Sequence, residues 1–262
     1  MVKLLTHGPH AFECGRAALN TAFECGRAAL NTPCPQEEAA ARRRPGSMIW
    51  SRAFIMRLDL RHNDHVIDYY RSFFERHQWL EDGLSWTVVQ PLNEEITVDD
   101  LLRRLNGGRD PEQRIMEYPR EEAIEEDRPV LLVSEGEGTW GFLELTCGFG
   151  LSDRVLTELS GDSRVWMVTW HFNGGYTILH AAGGKIRARM RDFIFTEHVF
   201  EEGDPSVLAD FRAMLNGLGP EDYHGKRSAA FAFIEAATGM ELESGWPDVE
   251  DAPVVILNNP AA

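Results

Sequence analysis

Apolar residues change their spacing several times along this chain, and each change marks an element. Between residues 64 and 79, Val66, Tyr70, Phe73 and His77 recur at helical steps, with Ile67 and Phe74 beside them. That spacing predicts a helix capped by Asn63 or Asp64 and running to about Trp79. Past Gly83, Leu84 to Gln90 is rich in β-branched and aromatic residues and predicts a strand. Thr97 opens a short helix with Asp99 and Asp100 in its first turn and Arg103 and Arg104 near its end; Gly107 and Gly108 stop it. Residues 109–128 are polar and predict a loop with a short helix from Pro119.

The segment 129–146 predicts a hairpin, with Val130 to Val133 as one strand, Glu135 to Gly138 as the turn, and Trp140, Phe142 and Leu143 opening the return. Ser152 caps a short helix carrying Val155, Leu156 and Leu159, closed by Gly161. Val165–Phe172, Tyr176–Ala181 and Lys185–Phe195 follow as a three-strand meander with turns at 173–175 and 182–184. The two-residue period puts Trp166, Val168 and Trp170 on one face and Val165, Met167 and Thr169 on the other, with the tryptophan face expected to be the more buried. Asp204 and Pro205 open a helix to Leu215, and Lys226 to Thr238 forms a last helix closed by Gly239. Val254–Leu257 has the composition of one short strand. Tight turns between strands make the sheet mainly antiparallel. Helices are interleaved without a regular βαβ repeat, and two of them come last, so the fold class is α+β.

The first 47 residues differ from the rest. Residues 11–21 read AFECGRAALNT, and residues 22–32 repeat them without a mismatch. Pro33, Pro35 and Pro45 prevent a sustained helix, and an in-frame duplication explains the identity. The expected organisation is a disordered tail over 1–47, one α+β domain over 48–245 and a C-terminal extension over 246–262. Met48 and Met56 are alternative start positions.

Charge sharpens this division. The chain carries −16 overall, yet residues 1–47 are net +2, which leaves −18 on the remainder. A body of that sign repels the phosphate backbone and anionic membranes, so neither nucleic acid nor a membrane is expected as partner; a basic protein is. Of four cysteines only Cys147 lies in the body, which matches a reducing compartment and a cytoplasmic location. No signal peptide and no run of about 20 apolar residues is present.

Chemistry-bearing motifs are sparse. Gly136-Glu137-Gly138 and Gly148-Phe149-Gly150 lack the spacing of a phosphate loop. His62 and His65 straddle a helix start without a third ligand. A turn centred on Asn173 and Gly174 sets His171 opposite Tyr176 and His180 opposite Met167, so the two histidines do not share a site. Glu197, His198, Glu201, Glu202 and Asp204 form an acidic loop without calcium-ligand spacing. Cys147 reads as a small buried side chain. No catalytic, cofactor or metal residue is assigned. Phe149, Asn173 and Tyr176, at the glycine turns, are the candidate interaction surface.

Several stretches resemble an uncharacterised domain family of actinomycetes. They are Trp140 with Gly141-Phe142-Leu143-Glu144, Gly148-Phe149, and Val155 to Ser160; further pieces are Leu84 to Val89, Val98 to Leu105, Trp170 to Asn173, and Ala229 to Glu235 with Thr238-Gly239. The resemblance covers about residues 64–245 and implies a fold and domain limits, without an activity. Where that family usually has asparagine before Gly148-Phe149, this chain has Cys147. The functional expectation is a non-catalytic, acidic protein-binding domain, regulatory or of immunity type; the alternative is a hydrolase-like enzyme with a dispersed acidic or Cys/His site.

Overall fold

The helical stripe of Tyr70, Phe73 and Phe74 is buried in a computed structural model that describes residues 60–93, 95–146, 152–171, 175–195, 199–243 and 245–258. The tail, its duplication and both alternative start positions lie outside the described residues, as does the side chain of His62. The described residues belong to one unit, Ile55–Ala262. They form six α-helices and nine strands, and the strands make a single open antiparallel sheet.

Helix α1 (Leu60–Arg76) starts a few residues before the expected cap and ends earlier than Trp79, because residues 78–81 tighten into a 3₁₀ turn. Strand β1 (Gly83–Pro91) follows, then α2 (Val98–Leu105). Thr97 accepts from the Asp100 amide while the Asp100 carboxylate takes the Thr97 amide, a reciprocal cap that satisfies two orphan donors. Strand β2 (Glu112–Met116) occupies part of the stretch expected as loop. It lies at the sheet edge and buries only Met116, so no apolar alternation announces it. Next come α3 (Pro119–Glu125), β3 (Val130–Gly136), β4 (Thr139–Glu144), α4 (Asp153–Leu159), β5 (Ser163–His171), β6 (Thr177–Ala182) and β7 (Ile186–Arg191).

The acidic run after residue 196 contains β8 (Phe200–Gly203), whose Glu201 and Glu202 pair with Arg212, Arg189 and Arg191. It is therefore the second edge strand and not a solvated loop. Helix α5 (Ala209–Asn216) begins later than Asp204 suggests: the Asp204 carboxylate instead accepts from the Ser206 amide at 2.9 Å and closes a turn. Helix α6 (Tyr223–Thr238) ends at Gly239, whose φ of 74° is open to glycine without a steric penalty.

With Ala252–Ile256 as β9, the strand order is β2-β9-β3-β4-β1-β5-β6-β7-β8. Strand β9 (Ala252–Ile256) thus lies inside the sheet, between β2 and β3. The stretch expected as an extension, 246–262, contributes to the domain, because Val254 and Ile256 are core residues.

Two apolar layers flank the sheet. One face meets α1, α5 and α6 through Trp86, Val88, Trp166, Val168 and Trp170. The other meets α2 and α4 through Val89, Phe142, Val165 and Met167. The two faces of β5 divide as the alternation predicts, but both are buried: Val165 and Met167 are as enclosed as the tryptophans. The expected difference between the faces is absent because α2 and α4 cover the second one. The β5–β6 register also sits one residue from the expected one, with His180 opposite Trp166 and Leu179 opposite Met167. The rings of His180 and Trp166 stack with centroids 4.1 Å apart.

Helices α1 and α6 are joined by Arg71, which grips both oxygens of Asp222, while Asp222 also accepts from the Gly225 amide at 2.8 Å. The Arg71 guanidinium holds the Asp222 carboxyl below its ordinary value. Replacing Asp222 with asparagine should cost about 1–2 kcal/mol, since the pair is partly exposed. Its contribution is present above the ordinary carboxylate pKa and is lost as pH falls through the lowered one. Urea denaturation of Asp222→Asn at neutral pH and at pH 3 checks this: the gap to wild type should narrow in acid.

Candidate functional site: an apolar groove beside an open sheet edge

Helix α2 is short and crosses only part of the second sheet face. Beyond it, toward the β2 edge, no described element covers the face. A groove of about 440 Å³ lies there, between Leu102 of α2 and Ile115, Pro253, Val255, Val133 and Trp140 of four neighbouring strands. The register explains the lining. Val255 stands opposite both Gln113 and Leu131, and Pro253 stands opposite Ile115, so these side chains share one face. Ile115 is 62% exposed, unusual for an isoleucine in a strand.

Among the described residues strand β2 pairs only with β9, and no described strand meets its outer backbone groups. Its two faces are treated differently. On the face away from the groove, Glu112, Arg114, Glu126 and Arg128 form an ion-pair network with contacts of 2.6–2.9 Å between Arg128 and Glu126, Arg128 and Glu112, and Arg114 and Glu126. The Arg128 hydrogen bond holds the Glu126 carboxyl below its ordinary value. On the groove face stand Gln113 and Ile115, with Asp99 on the opposite wall. One face is pinned and the other offers an apolar strip beside a sheet edge that no described strand covers.

Of the residues expected at an interaction surface, one is among the described residues. Phe149 and Asn173 are outside the described residues. Tyr176 is described and is 8% exposed. Its ring stacks on Trp170 and meets Phe193 and Phe195 edge-on, and its hydroxyl accepts from Arg227 at 3.1 Å. It supports the core and does not line a groove. The strip at Ile115 escaped sequence reading because its neighbours Glu112, Gln113 and Arg114 are polar. The available signal was the apolar pair Ile115-Met116 within that stretch.

A second polar arrangement lies at the start of β1. Glu81 contacts the Nδ1 of His224 at 3.1 Å and an Arg227 nitrogen at 3.4 Å, while the Arg227 guanidinium lies 5.5 Å from the Tyr176 ring centroid and 5.9 Å from that of Trp170. His171 and His180 are not brought together. Among the described residues no three potential metal ligands cluster, and no helix is long and apolar enough to cross a membrane. No protein-family model, curated protein or solved structure matches the chain.

Proposed function

We propose that this chain is a non-catalytic, cytoplasmic protein-binding domain, regulatory or of immunity type, that takes an extended basic segment of its partner alongside β2. The observation that carries the reading is the open β2 edge running beside an apolar groove in which Ile115 is exposed. An added strand would satisfy the outer backbone groups of β2, and its alternate side chains would enter the groove. The charge of −18 on residues 48–262 favours a cationic segment over an acidic one and disfavours nucleic acid. The resemblance to an actinomycete domain family stands beside this reading and does not bear on the partner.

Selection of binders from a library of extended peptides with alternating apolar and basic positions tests the proposal. Bound peptide should slow hydrogen exchange at residues 112–116. Ile115→Arg should weaken binding at least tenfold and leave the melting temperature unchanged, because the side chain is already exposed. Protection confined to another surface, or full affinity in Ile115→Arg, would sink the reading.

A hydrolase-like enzyme is the second reading, and the Glu81–His224 pair is what favours it. A carboxylate on Nδ1 leaves Nε2 of a mostly exposed ring available as a general base. Turnover of a panel of esters and amides by the full chain, abolished in His224→Ala, would replace the binding proposal.

A further inference from the structure

Helix α6 turns one face inward, and Lys226, Ala229, Ala230 and Phe233 recur on it at helical spacing. All four are buried. Three are apolar, and the first is a lysine only 3% exposed. Lysine is rarely enclosed to this degree without a carboxylate beside it. The Lys226 ammonium donates to the carbonyl oxygens of Ile194 and Pro220, each at 2.7 Å, and lies 5.7 Å from the centroid of the Tyr223 ring. An ammonium has three N–H donors and no acceptor, so two carbonyls account for two of the three. The neighbouring carboxylates are committed elsewhere. Both oxygens of Glu201 are taken by Arg212, and both oxygens of Asp222, one helical turn before Lys226, are taken by Arg71.

Lys226 borders a cavity of about 330 Å³ on the sheet face that meets α5 and α6. The walls are mostly apolar, with Met190 of β7, Phe193 shortly after it, and Leu215 and Leu218 around the end of α5. Asn216 and the Glu201–Arg212 pair complete the polar part of the lining. Lys226 and Arg212 stand against Glu201 alone, so the lining is positive by one charge within a chain that carries −16. Small-ligand sites have this make-up, apolar walls with a few polar anchors, and run from about 300 to 1,000 Å³. At about 30 Å³ for each non-hydrogen atom, the share of a water molecule in the liquid, the cavity takes roughly ten such atoms.

We propose that this cavity binds a small monocarboxylate with an apolar body, of the medium-chain fatty acid class, whose carboxylate accepts from Lys226 while its carbon chain lies against Met190, Phe193, Leu215 and Leu218. The carboxylate brings the full negative charge that backbone carbonyls do not, in a charge-assisted hydrogen bond. The chain takes the apolar walls out of water. A cationic ligand would meet the excess positive charge, and a small polyanion would have to shed its water against apolar walls. The site is independent of the β2 groove, which lies on the other sheet face and at the other end of the strand order.

Calorimetric titration of the full chain with octanoate, octanol and octylamine tests this, with the amide resonances of the protein followed in parallel. Octanoate should bind saturably, about tenfold or more tightly than octanol, and shift the resonances of residues 190–195 and 212–220. Asn216→Asp is isosteric and lies on an exposed residue, so it should fold normally. It sets a second carboxylate on the wall and should weaken octanoate severalfold while leaving octanol unchanged. Lys226→Met also removes the two carbonyl bonds, so the preference between ligands is read and not the stability: octanoate and octanol should bind it alike. Octanol binding the wild type as tightly as octanoate would overturn the proposal, as would octylamine binding more tightly than either. So would unsaturable octanoate binding, shifts confined to other residues, or unchanged octanoate affinity in Asn216→Asp.

Discussion

Replacing Gly141 with alanine is expected to destabilise the protein by about 3 kcal/mol, the upper end of what overpacking a core usually costs. Gly141 lies in β4, opposite Val88 of β1 and Ser134 of β3, on the face that meets α1 and α6. The indole of Trp86 crosses directly over it. A Cβ at this position would overlap the far end of that ring and approach the Met240 methyl to 2.8 Å. Methionine can turn aside, but Trp86 cannot. It is 1% exposed and meets Trp246 edge-on at 5.8 Å, so any tilt displaces a second large ring. Rescue is expected from the partner side: Trp86→Phe shortens the ring, and Gly141→Ala should cost less in that background than in wild type. Urea denaturation of the two single variants and the double variant measures this coupling. If Gly141→Ala lies within 0.5 kcal/mol of wild type, a tolerance typical of an indifferent site, the ring moves freely and does not dictate glycine here.

The second large effect is in acid. His180 stacks on Trp166, and both its ring nitrogens are buried without a hydrogen-bond partner among the described residues. Burial lowers its pKa from 6.5 to about 4, with Arg164 and Arg187 pushing the same way. A protonated imidazole is thus disfavoured in the folded state and permitted in the unfolded one. Between pH 6.5 and 4 the unfolded chain binds more protons, so stability is full above 6.5 and falls as pH drops toward 4. A tenfold change in proton affinity is worth about 1.4 kcal/mol. Partial solvent access to the ring trims the total, which leaves a loss of roughly 2 kcal/mol. The lowered carboxylates, such as Asp222 and Asp162, act only below about 4 and so leave this window to the histidine. His180→Phe keeps the stack and removes two unsatisfied nitrogens. It should gain up to about 1 kcal/mol at pH 7.5 and should lose less on going to pH 4.5. Denaturation curves at pH 7.5, 5.5 and 4.5 decide it: parallel slopes for the two proteins would show that other groups titrate there.

What the sequence reveals follows from where burial falls. The α+β class and the antiparallel sheet were legible because β1 and β5 are buried on both faces and read as long apolar runs. Helix α2 was legible from Thr97, Asp99, Asp100 and the closing glycines, since its ends are satisfied locally. Strands β2 and β8 were not. Each is an edge with one neighbour, and its polar residues are held by arginines from distant positions, a pattern that composition reads as loop. Strand β9 was legible as a strand but not in its place, because a sequence carries no direct sign of which strands it will separate. The β5–β6 register differs by one from the expected pairing, with His180 opposite Trp166. The groove was hidden for the same reason as β2: it exists only once Ile115, Val255 and Val133 are drawn together from three separate parts of the chain.

The position of β9 between β2 and β3 bears on how this protein is made. Residues 252–256 emerge from the ribosome after every other element described, yet two strands made long before them have no other route to each other. Until they arrive, β3 presents an apolar edge with Val130 and Leu132, and β2 has no partner among the described strands. The half of the sheet around β1, β5 and β6 can pair as it is synthesised, whereas the half bearing β2 must wait for residues 252–256. Nascent chains stalled before Ala252 are therefore the species that would need a chaperone, since an unpaired apolar edge is a template for aggregation.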